Sequence, residues 1–457
     1  MAEIVELLAE VVGAGNVLAG DDMDPDYAHD EALTATPSAP LAVVRPGTTA
    51  EVAAVLKIAD ELHVPVTARG SGTGLSGAAI SPPDGILVSF ERMNAILEID
   101  LDNHVAVVQP GVTLEQLNTA LAEHGLIYPV FPGESSASLG GNVATNAGGM
   151  RAVKYGVTRH HVLGLEAVLA NGDVIRTGGK FVKTSTGYDL TQLLIGSEGT
   201  LALVTEATVK LHPRLPHAAT VLAPFTTLDE VTAAVPRIVA AGIGPLVLEY
   251  VDMVTMAAIT ANVGLDLGVP EPVREAALAY LVIVLESTHA ARLDDDVEAL
   301  GGLLEELGAI EVYVLPSHAA AQLISAREKL FFVGKASGMD DIIDLVVPRA
   351  AIPKYMAAVA AVGQEHGALL TGCGHVGDGN VHLSVFQPDP QRRTEVMRAV
   401  FRAGLDLGGA ISGEHGIGTE KKKYFLEFED PVKVELMRAI KRAFDPHGIL
   451  GPGNLLD

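Results

Sequence analysis

Tryptophan is missing from this 457-residue chain, and aromatic residues of all kinds make up only 4% of it. The core must therefore be built mainly from Ala, Val, Leu and Ile. Cysteine is nearly missing as well. Cys373 stands alone, which excludes an intramolecular disulfide and suits a reducing compartment. Basic residues are scarce, with 31 Lys and Arg against 57 Asp and Glu and a formal net charge of −26. A chain this acidic repels nucleic acid and anionic lipid over most of its surface, so nucleic acid is not expected as a partner. No run of 18 apolar residues occurs, so no transmembrane span is expected. Residues 1–20 carry Glu3, Glu6 and Glu10 without a basic stretch, and read as an amphipathic helix rather than a signal peptide. The expected location is cytoplasmic, with peripheral contact at the inner membrane face left open.

Glycine is what the chain has in abundance, 48 residues gathered in a few places. The length exceeds that at which one core stops growing, so two or three domains are expected. Residues 41–45, 50–62 and 63–68 read as a βαβ unit, and further strands follow at 86–90, 96–99 and 105–109. A helix is expected at 113–124, a long loop at 132–149, and strands at 165–169 and 201–209. Residues 217–345 have a different texture. Helices at 228–241, 291–307 and 318–330 alternate there with strands at 246–250, 280–286 and 310–314, which points to a separate α+β domain.

Gly72-Thr-Gly-Leu-Ser-Gly77 satisfies G-x-G-x-x-G, but Ala78-Ala-Ile-Ser-Pro-Pro-Asp84 cannot be the body of a helix. The nicotinamide-dinucleotide fingerprint needs that helix, so it is not met. The loop still suits an anion, with unobstructed backbone N–H groups and the Arg69 guanidinium; a tight turn without ligand is the plain alternative. Pro132 to Gly149 is a second run of small residues, costly to order unless it lines a ligand. Gly196-Ser-Glu-Gly-Thr200 precedes a buried strand. Three such loops suggest an extended polyanionic ligand such as a dinucleotide.

Near the C-terminus, Gly374-His-Val-Gly-Asp-Gly-Asn-Val-His382 and Ser412-Gly-Glu-His-Gly-Ile-Gly418 set histidines among glycines. A core histidine is the commoner case, but these segments have little core to build. The residues between His375 and His382 favour a turn, so the two imidazoles can converge from adjoining strands. Two imidazoles and a carboxylate suit Zn²⁺ or Mn²⁺. Glu414 is the assigned carboxylate and Asp378 the competitor, in reach to orient a histidine.

The three loops resemble the FAD-binding domain of the vanillyl-alcohol oxidase / PCMH flavoprotein family. The likeness is greatest to its D-lactate, glycolate and D-2-hydroxyglutarate dehydrogenases, and runs from about residue 36 to the C-terminus. It implies an α+β fold. A PCMH-type FAD-binding domain of two α/β subdomains would cover 1–215, with its core at about 36–215. A substrate (cap) domain with an antiparallel sheet would cover 216–405. Residues 406–457 would complete the active site and return to the FAD domain. The resemblance implies that FAD is held by Arg69, Gly70, Ser71, Gly72, Thr73, Gly74 and Gly77, then by Pro132, Gly133, Ser138, Gly140, Gly141, Thr145 and Asn146, and by Glu198, Gly199, Val204 and Asn454. Relatives that bind FAD covalently use a histidine where Thr73 stands, so noncovalent FAD is implied. It further implies His375, His382 and Glu414 as ligands of a divalent metal, His415 as catalytic base and Arg327 as the arginine facing the substrate carboxylate. Pattern alone reads Arg327 as a surface residue of a helix beside Glu328 and Lys329.

The implied reaction oxidises a D-2-hydroxy acid to the 2-oxo acid. D-2-hydroxyglutarate enzymes usually carry Lys where Ile342 stands, two residues before the Asp of the Asp344–Pro348 segment, and tend to carry Asn where Ser384 stands. Those departures favour a monocarboxylic substrate resembling D-lactate, with glycolate and D-2-hydroxyglutarate as alternatives. The electron acceptor is left open among a quinone, a cytochrome, an electron-transferring flavoprotein and O₂, and so is a homodimer.

Overall fold

The computed structural model describes residues 2–456. Its first sheet comes from short apolar strands that are almost wholly buried. Ala42–Val44, Ile86–Ser89 and Val66–Arg69 run parallel in that spatial order, and Val17–Leu18 adds an antiparallel edge. Strands covered on both faces need not alternate polar with apolar residues. The Thr49–Leu62 helix crosses between Ala42–Val44 and Val66–Arg69, buries Val52, Val55, Leu56 and Ala59, and is capped by Thr48. The expected βαβ unit is present, but Ile86–Ser89 lies between its two strands. The N-terminal helix spans Ala2–Val12 only. Gly13 turns the chain at φ 83°, so residues beyond it leave the expected helix.

The second sheet is antiparallel, in the order Ile96–Asp100, Val105–Val108, Leu203–Lys210, Val162–Val168, Val174–Gly178. Beside it the expected loop at 132–149 contains a helix, Leu139–Thr145. Ser138 caps it and Asn146 ends it in the left-handed region. Its glycines serve close packing. A Cβ on Gly140 would lie 2.6 Å from Pro110 Cβ, and one on Gly70 would meet Ser138 Oγ at 1.9 Å. Close approach, and not conformational freedom alone, selects glycine at these positions.

The third sheet has eight antiparallel strands: Tyr313–Leu315, His217–Phe225, Ala279–Ser287, Val247–Asp252, Leu369–Gly374, Asn380–Phe386, Asp341–Val346 and Ala410–Ile411. One face packs into the largest core, where Ile343, Leu345, Leu383 and Val385 meet Tyr355 and Phe401. Each fully buried aliphatic side chain there contributes about 1.5–3 kcal/mol. A one-residue slip in register would forfeit all of them. The alternate residues Ile342, Asp344, His382 and Ser384 are thereby held on the opposite face, with Ile342 opposite Ser384 and Asp344 opposite His382.

The C-terminal segment closes on the first sheet. Val66 N donates to Ile449 O at 2.7 Å and Gly451 N to Val66 O at 2.9 Å. No helix among the described residues is long and apolar enough to cross a membrane.

Candidate active site

Five neighbouring strands of the eight-stranded sheet, or the turns they lead into, each place a polar group on the face away from the core. Glu249 comes from Val247–Asp252 and His375 from the end of Leu369–Gly374. His382 comes from Asn380–Phe386, Asp344 from Asp341–Val346, and Glu414 with His415 from the turn after Ala410–Ile411. His375 and His382 do converge across a turn. Their rings lie 4.9 Å apart, edge to face, and both Nε2 atoms are 3.1 Å from Glu414 Oε1. A tetrahedral ion with bonds of about 2.0 Å spaces its ligand atoms by roughly 3.3 Å, so the donor set fits a small divalent cation. Asp378, the competing carboxylate, lies in the turn and accepts from Asn380 N. Burial pushes its pKa up to about 6. It is outside the His375, His382, Glu414 cluster.

Glu249 and Asp344 do the orienting. Glu249 Oε1 is hydrogen-bonded to His375 Nδ1, and its Oε2 accepts from Arg327 Nε at 3.0 Å. Burial alone would raise its pKa, but His375, Arg327 and His382 hold it at about 2. Asp344 Oδ2 accepts from Ser412 Oγ at 2.9 Å and from the backbone N–H groups of Glu414 and His415, both at 2.8 Å. Its Oδ1 accepts from Asn380 Nδ2 at 2.7 Å. One buried carboxylate thus shapes the loop that carries Glu414 and His415. His415 stacks on His382 with centroids 4.9 Å apart. Burial lowers the pKa of His415, Asp344 opposes this, and His382 adds to it.

Arg327 corrects the surface reading made from pattern. It sits in the last turn of the Ser317–Glu328 helix with its side chain 13% exposed, against Glu249 and beside the histidine cluster. Its guanidinium grips Glu249 Oε2 through both Nε at 3.0 Å and Nη2 at 2.8 Å. Sequence reasoning missed Glu249 entirely, because a lone Glu in an apolar strand carries no local signal. Asp344 was legible only as part of the D-x-x-x-P segment.

The cluster opens onto a cleft walled mainly by the three glycine loops. Gly70, Ser71, Gly72, Thr73, Gly74, Pro132, Gly133, Ser138, Gly141, Thr145, Glu198 and Gly199 line it, and His415 and Glu414 stand at its inner end. Among the described residues, the N–H groups of Ser71 to Gly74 have no backbone acceptor. Asn142 Nδ2, in the lining, is buried without a partner among the described residues. A glycine-walled cleft with unanswered donors fits an extended anionic dinucleotide. Arg69, Gly77, Gly140, Asn146, Val204 and Asn454 lie outside the lining. The Arg69 guanidinium, expected to face an anion, instead donates to His29 O, Asp26 O and Asp26 Oδ2. Asn454 Nδ2 donates to Ala78 O. The Glu198 carboxylate turns away to accept from Ile417 N at 2.7 Å and Gly418 N at 2.6 Å, tying the third glycine loop to the His415 loop.

Two families match the chain: "FAD linked oxidases, C-terminal domain" over residues 214–455 and "FAD binding domain" over 40–178. An uncharacterised FAD-linked oxidoreductase of Mycobacterium tuberculosis is 56% identical over 99% of both chains. A D-lactate dehydrogenase of Archaeoglobus fulgidus is 40% identical over 91% of both. Among solved structures, p-cresol methylhydroxylase with substrate bound superposes with a TM-score of 0.82 at 22% identity, covering 100% of this chain and 97% of the other. At that identity the likeness concerns the fold alone.

Proposed function

The chain belongs to the FAD-linked oxidases with a PCMH-type FAD-binding domain, and from that premise we propose that it oxidises a D-2-hydroxy monocarboxylic acid to the 2-oxo acid. The observation that carries the reading is the meeting of a His/His/Glu cluster, a separate histidine and a buried arginine at the inner end of the glycine-lined cleft. FAD, once bound in that cleft, supplies the acceptor for the hydride leaving C2. His375, His382 and Glu414 would hold a divalent cation, which would supply Lewis-acid polarisation of the substrate hydroxyl.

The remaining work falls to the chain. His415, neutral at pH 7 because its pKa is lowered, takes the hydroxyl proton as the C2–O double bond forms. Arg327, fixed by Glu249 through Nε and Nη2, offers its remaining N–H groups to the substrate carboxylate. Asp344 sets the direction of His415 by accepting from the consecutive backbone N–H groups of Glu414 and His415. Glu249 fixes the His375 tautomer so that Nε2 faces Glu414.

The test is the visible spectrum of the purified protein under anaerobic conditions, before and after D- or L-lactate, with and without prior chelation. The expected result is flavin bleaching by the D isomer, loss of bleaching after chelation, and recovery with Zn²⁺ or Mn²⁺. A flavin that no 2-hydroxy acid reduces would overturn the reading.

A further inference from the structure

Beyond the His/His/Glu cluster the substrate cavity continues into a wall that the reaction does not use. Met150, Leu330, Phe331, Met339 and Ile342 form it, with the small Ser384 beside Ile342. The Ile342–Ser384 pair is fixed by strand register, because its neighbours Ile343, Leu383 and Val385 are locked in the core on the other face. Met339 is 6% exposed and lies against Gly334, where an added Cβ would come within 3.2 Å of the Met339 thioether. Glycine at 334 therefore lets the Leu330–Ala336 helix lie close over Met339, and Leu330 and Phe331 come from that same helix.

Charge points the same way as shape. Among the described lining residues the one guanidinium or ammonium group is Arg327, already beside Glu249, and the other charged side chains are the carboxylates Glu328 and Glu414. A second carboxylate on the substrate would find no cation here. A methyl group would leave most of the apolar wall facing water.

We propose that this wall is a subsite for an apolar substrate side chain larger than methyl, so that the substrate is a D-2-hydroxy acid with a branched aliphatic side chain. The inference rests on the 2-hydroxy-acid reading above and adds the side-chain class. Methionine suits such a wall, since its unbranched thioether adapts to differently shaped apolar groups.

The experiment compares kcat/KM for flavin reduction in the FAD-loaded, metal-loaded enzyme across glycolate, D-lactate, D-2-hydroxybutanoate, D-2-hydroxy-4-methylpentanoate and D-2-hydroxyglutarate. Dissociation constants of pyruvate and 4-methyl-2-oxopentanoate are measured alongside by calorimetry, a readout independent of turnover. Burial of each added carbon gives about a fourfold gain. The branched acid should exceed D-lactate by at least about tenfold, and its oxo acid should bind more tightly than pyruvate by a similar factor. D-2-hydroxyglutarate should fall below both. Ile342→Phe, which fills the subsite, should lower the preference for the branched acid over lactate by about tenfold. A flat series, or one led by lactate, glycolate or D-2-hydroxyglutarate with flavin reduction intact, overturns the subsite and leaves the 2-hydroxy-acid reading standing. Bound FAD that none of the five acids reduces overturns that reading and the subsite with it.

Discussion

His415 and Glu249 carry opposite burdens. As the proposed base, His415 must be neutral to accept a proton; burial together with His382 lowers its pKa, and the Asp344 carboxylate opposes this. Replacing it with Ala should lower kcat by about 10²–10⁴-fold while the flavin spectrum and FAD content stay unchanged. Rapid-mixing reduction kinetics on the variant check this, and a variant that turns over normally would remove the base from the scheme. Glu249 must stay charged, because it is the buried counter-ion of Arg327 and the partner of His375 Nδ1. Removing one member of a buried pair typically costs about 3–5 kcal/mol, and losing an orienting partner costs about 10–100-fold in metal affinity. Glu249→Ala should show both effects, in denaturant unfolding and in metal titration.

At the scale of single elements, the Ser412–Gly418 loop is held between two carboxylates. Asp344 binds its N-terminal half and Glu198 its C-terminal half. Glu198 has no cationic partner in these contacts, and burial raises its pKa despite two backbone donors. Glu198→Ala should lower kcat far more than it lowers FAD content, because the released loop carries His415; flavin titration alongside kinetics separates the two. The first sheet's glycine loop makes a different demand. Gly70→Ala places a Cβ 1.9 Å from Ser138 Oγ, so either Ser138 gives up its cap on Gly141 N or the two loops part, and FAD affinity should fall. Gly70 and Ser138 were both legible in the sequence, but their contact was not, because 68 positions separate them and the intervening strands decide their distance. The Leu139–Thr145 helix was hidden for a related reason. Its Leu-Gly-Gly-Asn composition disfavours helix locally, and packing on Pro110 overrides propensity.

Across the whole molecule, stability and ligand binding are linked. His161, buried against Tyr128 and His212, is held by burial first and then by His212 at a pKa of about 4. That is below the roughly 6.5 of an unfolded histidine, so the unfolded chain takes up the proton first as pH falls. Its contribution is therefore complete above about pH 6.5 and is lost as pH falls through about 4, amounting to roughly 3 kcal/mol. Thermal unfolding between pH 7 and 4 should show that loss, and His161→Phe should flatten it. The cleft lined by the glycine loops is the site proposed above for FAD, so removing FAD should lower Tm. Restoring it at about 100 times its Kd should return about 2.7 kcal/mol.

The sequence by itself determined the parts whose cause is local. Glycine clusters mark backbone that side chains cannot enter, and a histidine pair broken by Gly377, Asp378 and Gly379 must turn, so the cleft walls and the His375, His382, Glu414 set could be read from spacing and resemblance. Only the tertiary structure decided which distant groups complete them. Glu249 lies 126 positions from His375, and Asp344 lies 70 from Glu414. Arg327 became a buried site residue instead of a surface one because its helix packs beside the strand that carries Glu249. The reason is strand order and register. Which residues of five strands meet on one face follows from the apolar residues locked on the other, and that is a property of the folded sheet rather than of any one segment.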